Sequence, residues 1–111
     1  MTKMNNMKWI EIIALRSSTG NRSALEQYLS SLCSDLVGIH NQSKVRIYEN
    51  RDVDSDLSIL IFHSTKRNNQ KQSQLGYQIA SMLRSFGLVS HTSWLEWKTK
   101  NEITNNSKEN E

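Results

Sequence analysis

Proline is absent from this 111-residue chain, and cysteine occurs only once, as Cys33. Without proline, turns must be made by Gly, Asn, Asp and Ser. A single cysteine excludes an intramolecular disulfide and the Cys-x-x-Cys pairs of redox and zinc sites. A chain of this length supports one domain with one modest core. In that core we expect Cys33 to be a small buried hydrophobe.

Long apolar runs and a strong excess of one charge are also missing. No stretch of about 18 apolar residues occurs, so the sequence predicts no membrane-spanning helix. Residues 1–8 lack the apolar segment of a signal peptide. The net charge of +3 comes from scattered Lys and Arg and indicates solubility rather than nucleic-acid binding. We expect a soluble cytoplasmic protein with neither a nucleic-acid nor a membrane partner.

Four segments have the alternation of β-strands. Residues 8–16 and 57–63 are apolar on both faces, which is typical of central strands covered on both sides. Residues 44–49 alternate between apolar and polar, as an edge strand does. The last strand, residues 88–97, places Val89, His91 and Leu95 on one face and Trp94 on the other.

Two segments have helical periodicity. The first follows a capping box, Ser23 to Glu26, and the second runs from about Ser73 to Phe86. Each is followed by Gly and an aliphatic residue, Gly38-Ile39 and Gly87-Leu88. This pairing predicts a Schellman-type ending for both helices.

The resulting order, β-α-β-β-α-β, predicts an α+β, ferredoxin-like domain over residues 8–97. Its four-stranded antiparallel sheet has the order 4-1-3-2, with both helices on one face. Residues 1–7 and 98–111 are polar and are expected to be disordered. The uncovered face carries large apolar residues from the central strands, so we expect a homodimer packed through that open sheet face.

The stretches WIEIIALR, SALEQYLSSLCSDL, LSILIFHS and LGYQIASMLRSFGLVSHTSWLEW resemble the antibiotic biosynthesis monooxygenase-like domains of the dimeric α/β-barrel superfamily. The resemblance covers about residues 8–97. It implies a dimeric α/β barrel that binds a ligand between sheet and helices. It also implies a cofactor-free oxygenase acting on a small aromatic or quinol-like ligand. Haem-degrading members carry an Asn in the first strand, which Ile10–Ala14 lacks, so no cofactor is expected.

His91 is the candidate catalytic base, because imidazole titrates near neutrality. The alternative is a strand histidine bonded to a carbonyl or to water. The candidate ligand-binding residues are Trp9, Glu11, Tyr77 and Trp94. Trp9 and Trp94 are on neighbouring strands, and packing across those strands at the dimer interface is the alternative to ligand stacking.

Glu11 is a lone acid in an apolar strand, and buried carboxylates need a partner. It is either a salt-bridge partner at the dimer interface, with Arg16 or Arg46 as its mate, or an acid/base group. His63, at a strand end, faces either the mouth of a cavity or solvent, and solvent is favoured. His40 is expected to be exposed. The three His and Cys33 show no metal-ligand spacing, so no metal site is predicted.

Two function classes remain open at this stage. One is the oxygenase-like enzyme, and the other is a non-enzymatic homodimer that binds a small molecule or a partner. An RNA-binding RRM has the same topology, but residues 57–63 lack its basic-aromatic motif.

Overall fold

Four strands and two helices follow one another in the predicted order. The computed structural model describes residues 7–18, 20, 22–36, 43–65 and 71–97. Predictions for residues 1–6, for Gly38, Ile39 and His40, and for the tail at 98–111 lie outside the described residues. The elements are β1 (Met7–Ser17), α1 (Arg22–Leu36), β2 (Ser43–Glu49), β3 (Asp56–Thr65), α2 (Gln74–Leu83) and β4 (Gly87–Leu95). A short 3-10 turn, Arg84–Phe86, joins α2 to β4.

The strands form one antiparallel sheet in the order β2-β3-β1-β4. This is the predicted order 4-1-3-2 counted from the other edge, so the α+β architecture is confirmed. Ile13 of β1 lies between Ile59 of β3 and His91 of β4. The doubly apolar strands are therefore the two central ones, β1 and β3, as predicted.

One face of the sheet is covered by both helices. Leu25 of α1 and Ile79 of α2 enter the same buried cluster as the inward side chains of β1 and β3. Burying each such aliphatic side chain contributes about 1.5–3 kcal/mol to folding. The buried cluster consists of Ile13, Leu15, Leu25, Leu57, Ile59, Ile61, Ile79, Ala80 and Leu83.

The two helices differ from the prediction at their ends. α1 begins at Arg22, so Ser23 lies within the helix and is not its cap; Glu26 instead accepts a hydrogen bond from the Arg22 guanidinium at 2.9 Å. Cys33 is exposed, which makes its predicted burial wrong. The buried stripe of α1 follows Leu25, Leu29 and Leu32, and Cys33 lies about 100° further round the helix than Leu32.

The predicted ending of the second helix is also wrong. Leu88 is 76% exposed and belongs to β4, so it does not fold back on the helix. Gly87 lies opposite Ser17 in the sheet, and a Cβ built there would overlap the carbonyl oxygen of Arg16. Glycine is required at this position by the close approach of β1, not by a helix cap.

The other face of the sheet, turned away from the helices, is here named the open face. Its centre is aliphatic, with Ile10, Ile12 and Leu60 half-buried. Around them are four exposed large apolar side chains, namely Tyr48 (51%), Phe62 (38%), Leu88 (76%) and Trp94 (56%). Among the described residues, neither helix has the length and apolarity to cross a membrane.

Candidate functional site

The carboxylate of Glu11 is the centre of a buried polar cluster. Glu11 is in the middle of β1, on the face covered by the helices, and is fully buried. Its cross-strand partners are Ile61 and Ser93, neither of which is charged. A buried carboxylate is costly unless it is hydrogen-bonded, so its neighbours have to supply donors.

Two histidines supply those donors from the flanking strands. His63 Nε2 lies 2.6 Å from Glu11 Oε2, and His91 Nε2 lies 2.7 Å from Glu11 Oε1. Both imidazoles are at least 95% buried, with 4% and 5% of each side chain exposed. Each is two residue pairs away from Glu11 along the sheet, in opposite directions, and reaches it diagonally. One carboxylate thus bridges the three strands β3, β1 and β4.

The N-terminus of α2 completes the cluster. The Ser73 hydroxyl donates to Glu11 Oε2 and accepts a hydrogen bond of 2.8 Å from the Gly76 amide, which makes Ser73 the N-cap. Gly76 packs directly on the carboxylate, because a Cβ built there would overlap Glu11 Oε1. The positive end of the helix dipole also points at Glu11 and stabilises its negative charge. Helix α2 is therefore docked on the sheet through this acid.

Trp9 covers the cluster at one end of β1. Its ring stacks on the His63 imidazole, with centroids 4.0 Å apart and ring planes 19° apart. Trp9 is 8% exposed and lies directly opposite His63 in the sheet. The stack fixes the ring plane of His63 and shields the Glu11–His63 hydrogen bond from water.

The hydrogen bonds determine the protonation state of Glu11. Burial by itself raises the pKa of Glu11, but the hydrogen bonds from His63, Ser73 and His91 outweigh it. The net result is a pKa below the ordinary value of 4.5. An ionised carboxylate only accepts hydrogen bonds, so the Nε2 atom of each histidine carries a proton and donates it. Both imidazoles are thereby held in one orientation.

Helix α2 contacts this cluster at its first turn, through Ser73 and Gly76, and packs on the aliphatic core further along. All buried polar side-chain atoms of the described residues have a hydrogen-bond partner. No group of three or more His, Cys, Asp or Glu in the described part of the chain is arranged to hold a metal ion. Glu11, His63, His91 and Ser73 thus form one connected hydrogen-bond network.

A groove of about 650 Å³ lies on the other side of the sheet, at the same end. It follows one cross-strand row of the open face, Lys44–Phe62–Ile10–Trp94. Lys8 and Glu96 also line it. Small-molecule sites are typically about 300–1,000 Å³ and mostly apolar, so the groove has the size and character of a ligand site.

The structure brings Trp9, Glu11 and His91 together but not the other two candidate residues. Tyr77 is exposed on α2, and Trp94 is exposed on the open face, where its indole N–H donates to Thr92 Oγ1 at 2.8 Å. The predicted packing of Trp9 against Trp94 is wrong. Trp9 lies opposite Leu95 and Trp94 opposite Ile10, so the two indoles are on opposite faces of the sheet.

The predicted surroundings of Glu11 and His63 are also corrected. Glu11 faces the helices, not the open face where a dimer was expected to form, and its partners are histidines. Arg16 is paired with Asp56 at 3.0 Å instead, and Arg46 is on the open face. His63 is buried, not solvent-facing, because Trp9 and Glu11 both pack against it.

Sequence reasoning missed His63 and Ser73 as members of the cluster. One signal was present for His63: strand alternation places it on the same face as Ile59 and Ile61, which are core residues. Ser73 was recognised only as the start of a helix.

Comparisons with protein-family models, with curated proteins and with solved structures find no match to this chain.

Proposed function

We propose that this protein is a homodimeric small-molecule-binding protein whose two copies pack through their open faces. The observation that carries the proposal is the open face itself, with an aliphatic centre and exposed Phe62, Leu88 and Trp94. Monomeric soluble proteins rarely expose contiguous apolar surface of this kind. Two sheets packed face to face in a two-fold dimer remove it from water.

The size of the open face suits such an interface. Four strands, two of them seven and eleven residues long, give a face of roughly 500 Å² in projection. Side-chain relief increases the accessible area toward the ~800 Å² that each partner buries in a standard interface. Charged groups on this face lie at its margins, with Lys8 and Arg16 toward the two ends of β1 and Lys44 and Arg46 on the edge strand β2, which leaves the centre free for apolar contact.

The ligand site in this proposal is the groove beside Trp94. In a dimer the groove is roofed by the partner copy and becomes an enclosed cavity. Its walls are then mostly apolar, as in ligand sites generally. Trp9 and His63 of the Glu11 cluster reach the groove lining, but Glu11 and His91 do not, which favours binding over catalysis by His91 on a ligand held there.

The cofactor-free oxygenase-like enzyme remains a second candidate, favoured by the Glu11–His91 hydrogen bond. A carboxylate that orients an imidazole is the usual arrangement of a general base. His91 Nδ1 makes no hydrogen bond with a described residue, so it is the atom that would take a proton from substrate. The matching test is aerobic oxidation of a quinol, followed optically, by wild type and by His91→Gln. Equal rates with the two proteins would exclude this role.

Mass measurement by light scattering tests the dimer proposal, with a reductant present because Cys33 is exposed. Wild type is expected at twice the single-chain mass of 12.9 kDa. Phe62→Lys places a charge in the open face and is expected to weaken dimerisation at least about 30-fold. Tyr77→Lys, at an exposed aromatic on α2, is the matched control and should stay dimeric. A wild-type mass of one chain at all concentrations would exclude the proposal.

A further inference from the structure

We infer that the groove beside Trp94 binds a flat aromatic anion, its rings against Trp94, Ile10 and Phe62 and its negative group toward Lys8 and Lys44. The inference rests on the proposed ligand site and names its ligand class. It is carried by the side chains at one end of the open face, where exposed aromatic residues on β4 and β3 lie beside lysines on β1 and β2.

The aromatic part of the inference comes from the row Lys44–Phe62–Ile10–Trp94. Strand spacing places the two ends of this row about 14 Å apart. Trp94 and Phe62 are exposed on either side of the half-buried Ile10. Aromatic side chains in such positions favour stacked or edge-to-face contact with a planar ring system.

The anionic part comes from two lysines of the groove, one on the edge strand β2 and one on β1. Lys44 ends the row on β2. Lys8 lies two residues before Ile10 on β1, opposite Ser64. Both are exposed, and within the described part of the chain neither forms an ion pair. Arg16 and Arg22, by contrast, are paired with carboxylates.

One acidic side chain offsets part of the positive charge that the lysines give the groove. Glu96 also lines the groove and extends beyond β4, where its amide bonds the Lys8 carbonyl oxygen at 2.8 Å. The charged side chains that line the groove are Lys8, Lys44 and Glu96, which together carry a net charge of +1. This net positive charge favours an anionic ligand. Glu96 is next to Lys8 across the sheet and far from Lys44 on β2, so an anionic group placed nearest Lys44 is farthest from that carboxylate.

Calorimetric titration with two matched probes tests the inference. The probes are 2-naphthoate and 2-naphthylmethanol, which share the ring system and differ in charge. With the full-length wild-type chain at low ionic strength, naphthoate is expected to bind about tenfold more tightly than the alcohol. Raising the salt concentration should reduce that preference by screening the lysines.

Two double variants distinguish the effect of the lysines in the groove from the effect of the total charge of the protein. Lys8→Gln/Lys44→Gln is expected to bring the two affinities within about twofold of each other. Lys71→Gln/Arg84→Gln removes the same number of charges from the helix side and should keep the preference. The inference would be overturned if wild type bound the two probes with equal affinity. It would also be overturned if both double variants lost the preference for naphthoate to the same extent.

The state of assembly is measured on the same samples, so that two failures can be told apart. A dimer that binds neither probe overturns the ligand class and leaves the dimer in place. A monomer that still prefers naphthoate supports the ligand class and overturns the dimer.

Discussion

His91 Nε2 and Glu11 Oε1 lie 2.7 Å apart, although the two residues are not opposite each other in the sheet. Glu11 faces Ser93, and His91 faces Ile13. The histidine crosses to the acid diagonally, and His63 does so from the other side. A single carboxylate thus holds β1, β3, β4 and, through Ser73, helix α2.

Replacing Glu11 with Gln tests whether this carboxylate stabilises the fold. The amide keeps the shape but loses the charge, and its NH₂ group faces an imidazole N–H that also donates. We expect a loss of about 3 kcal/mol in the free energy of unfolding, measured by urea denaturation at neutral pH. Glu26→Gln, at an exposed acid, is the control and should change stability by less than about 0.5 kcal/mol. Equal effects of the two changes would contradict the role assigned to Glu11.

The same acid predicts a pH dependence with a defined sign. Glu11 has a folded-state pKa below its ordinary value of 4.5, so its contribution to stability is complete above that value. The contribution is lost as the pH falls through the lower folded-state pKa. The stability difference between wild type and Glu11→Gln should therefore shrink on acidification below 4.5. Urea denaturation of both proteins over a pH series measures it, and a difference that grows in acid would refute this assignment.

Gly76→Ala tests the docking of α2 on Glu11. The added methyl group overlaps the carboxylate, so either the helix or the acid has to move. Although Ala favours helices, we expect a net destabilisation of about 1–3 kcal/mol. Gly20→Ala is the matched change, because a Cβ at Gly20 meets no atom within 4 Å. A Gly76→Ala protein as stable as wild type would show that α2 does not press on Glu11.

Most of the fold was predictable because strand alternation and helix periodicity are local patterns. Residues 8–16 and 57–63 are apolar on both faces, and that property assigned them to the centre of the sheet. Local patterns were less informative at helix ends. Gly87 follows a helix, as a cap does, but the residue is needed because β1 approaches it, which is a contact between distant parts of the chain.

The site was less predictable than the fold because it depends on register and on helix docking. Alternation placed Glu11 and Trp9 on the same face of β1. It also placed His91 and Val89 on the same face of β4. It did not indicate that Glu11 and His91 meet across a diagonal. That Ser73 and Gly76 close over the carboxylate depends on where α2 lies above the sheet, which no spacing in the sequence encodes.

An isotope-filtered NOE experiment on a mixture of labelled and unlabelled copies tests the homodimer through the open face. It reports contacts between copies and identifies the side chains that make them. Packing of the open faces predicts intermolecular contacts to the methyl groups of Ile10, Ile12 and Leu60. Intermolecular contacts confined to the helix side, such as to the exposed Met82, would contradict it. So would the absence of any contact between copies at the concentrations that the experiment requires.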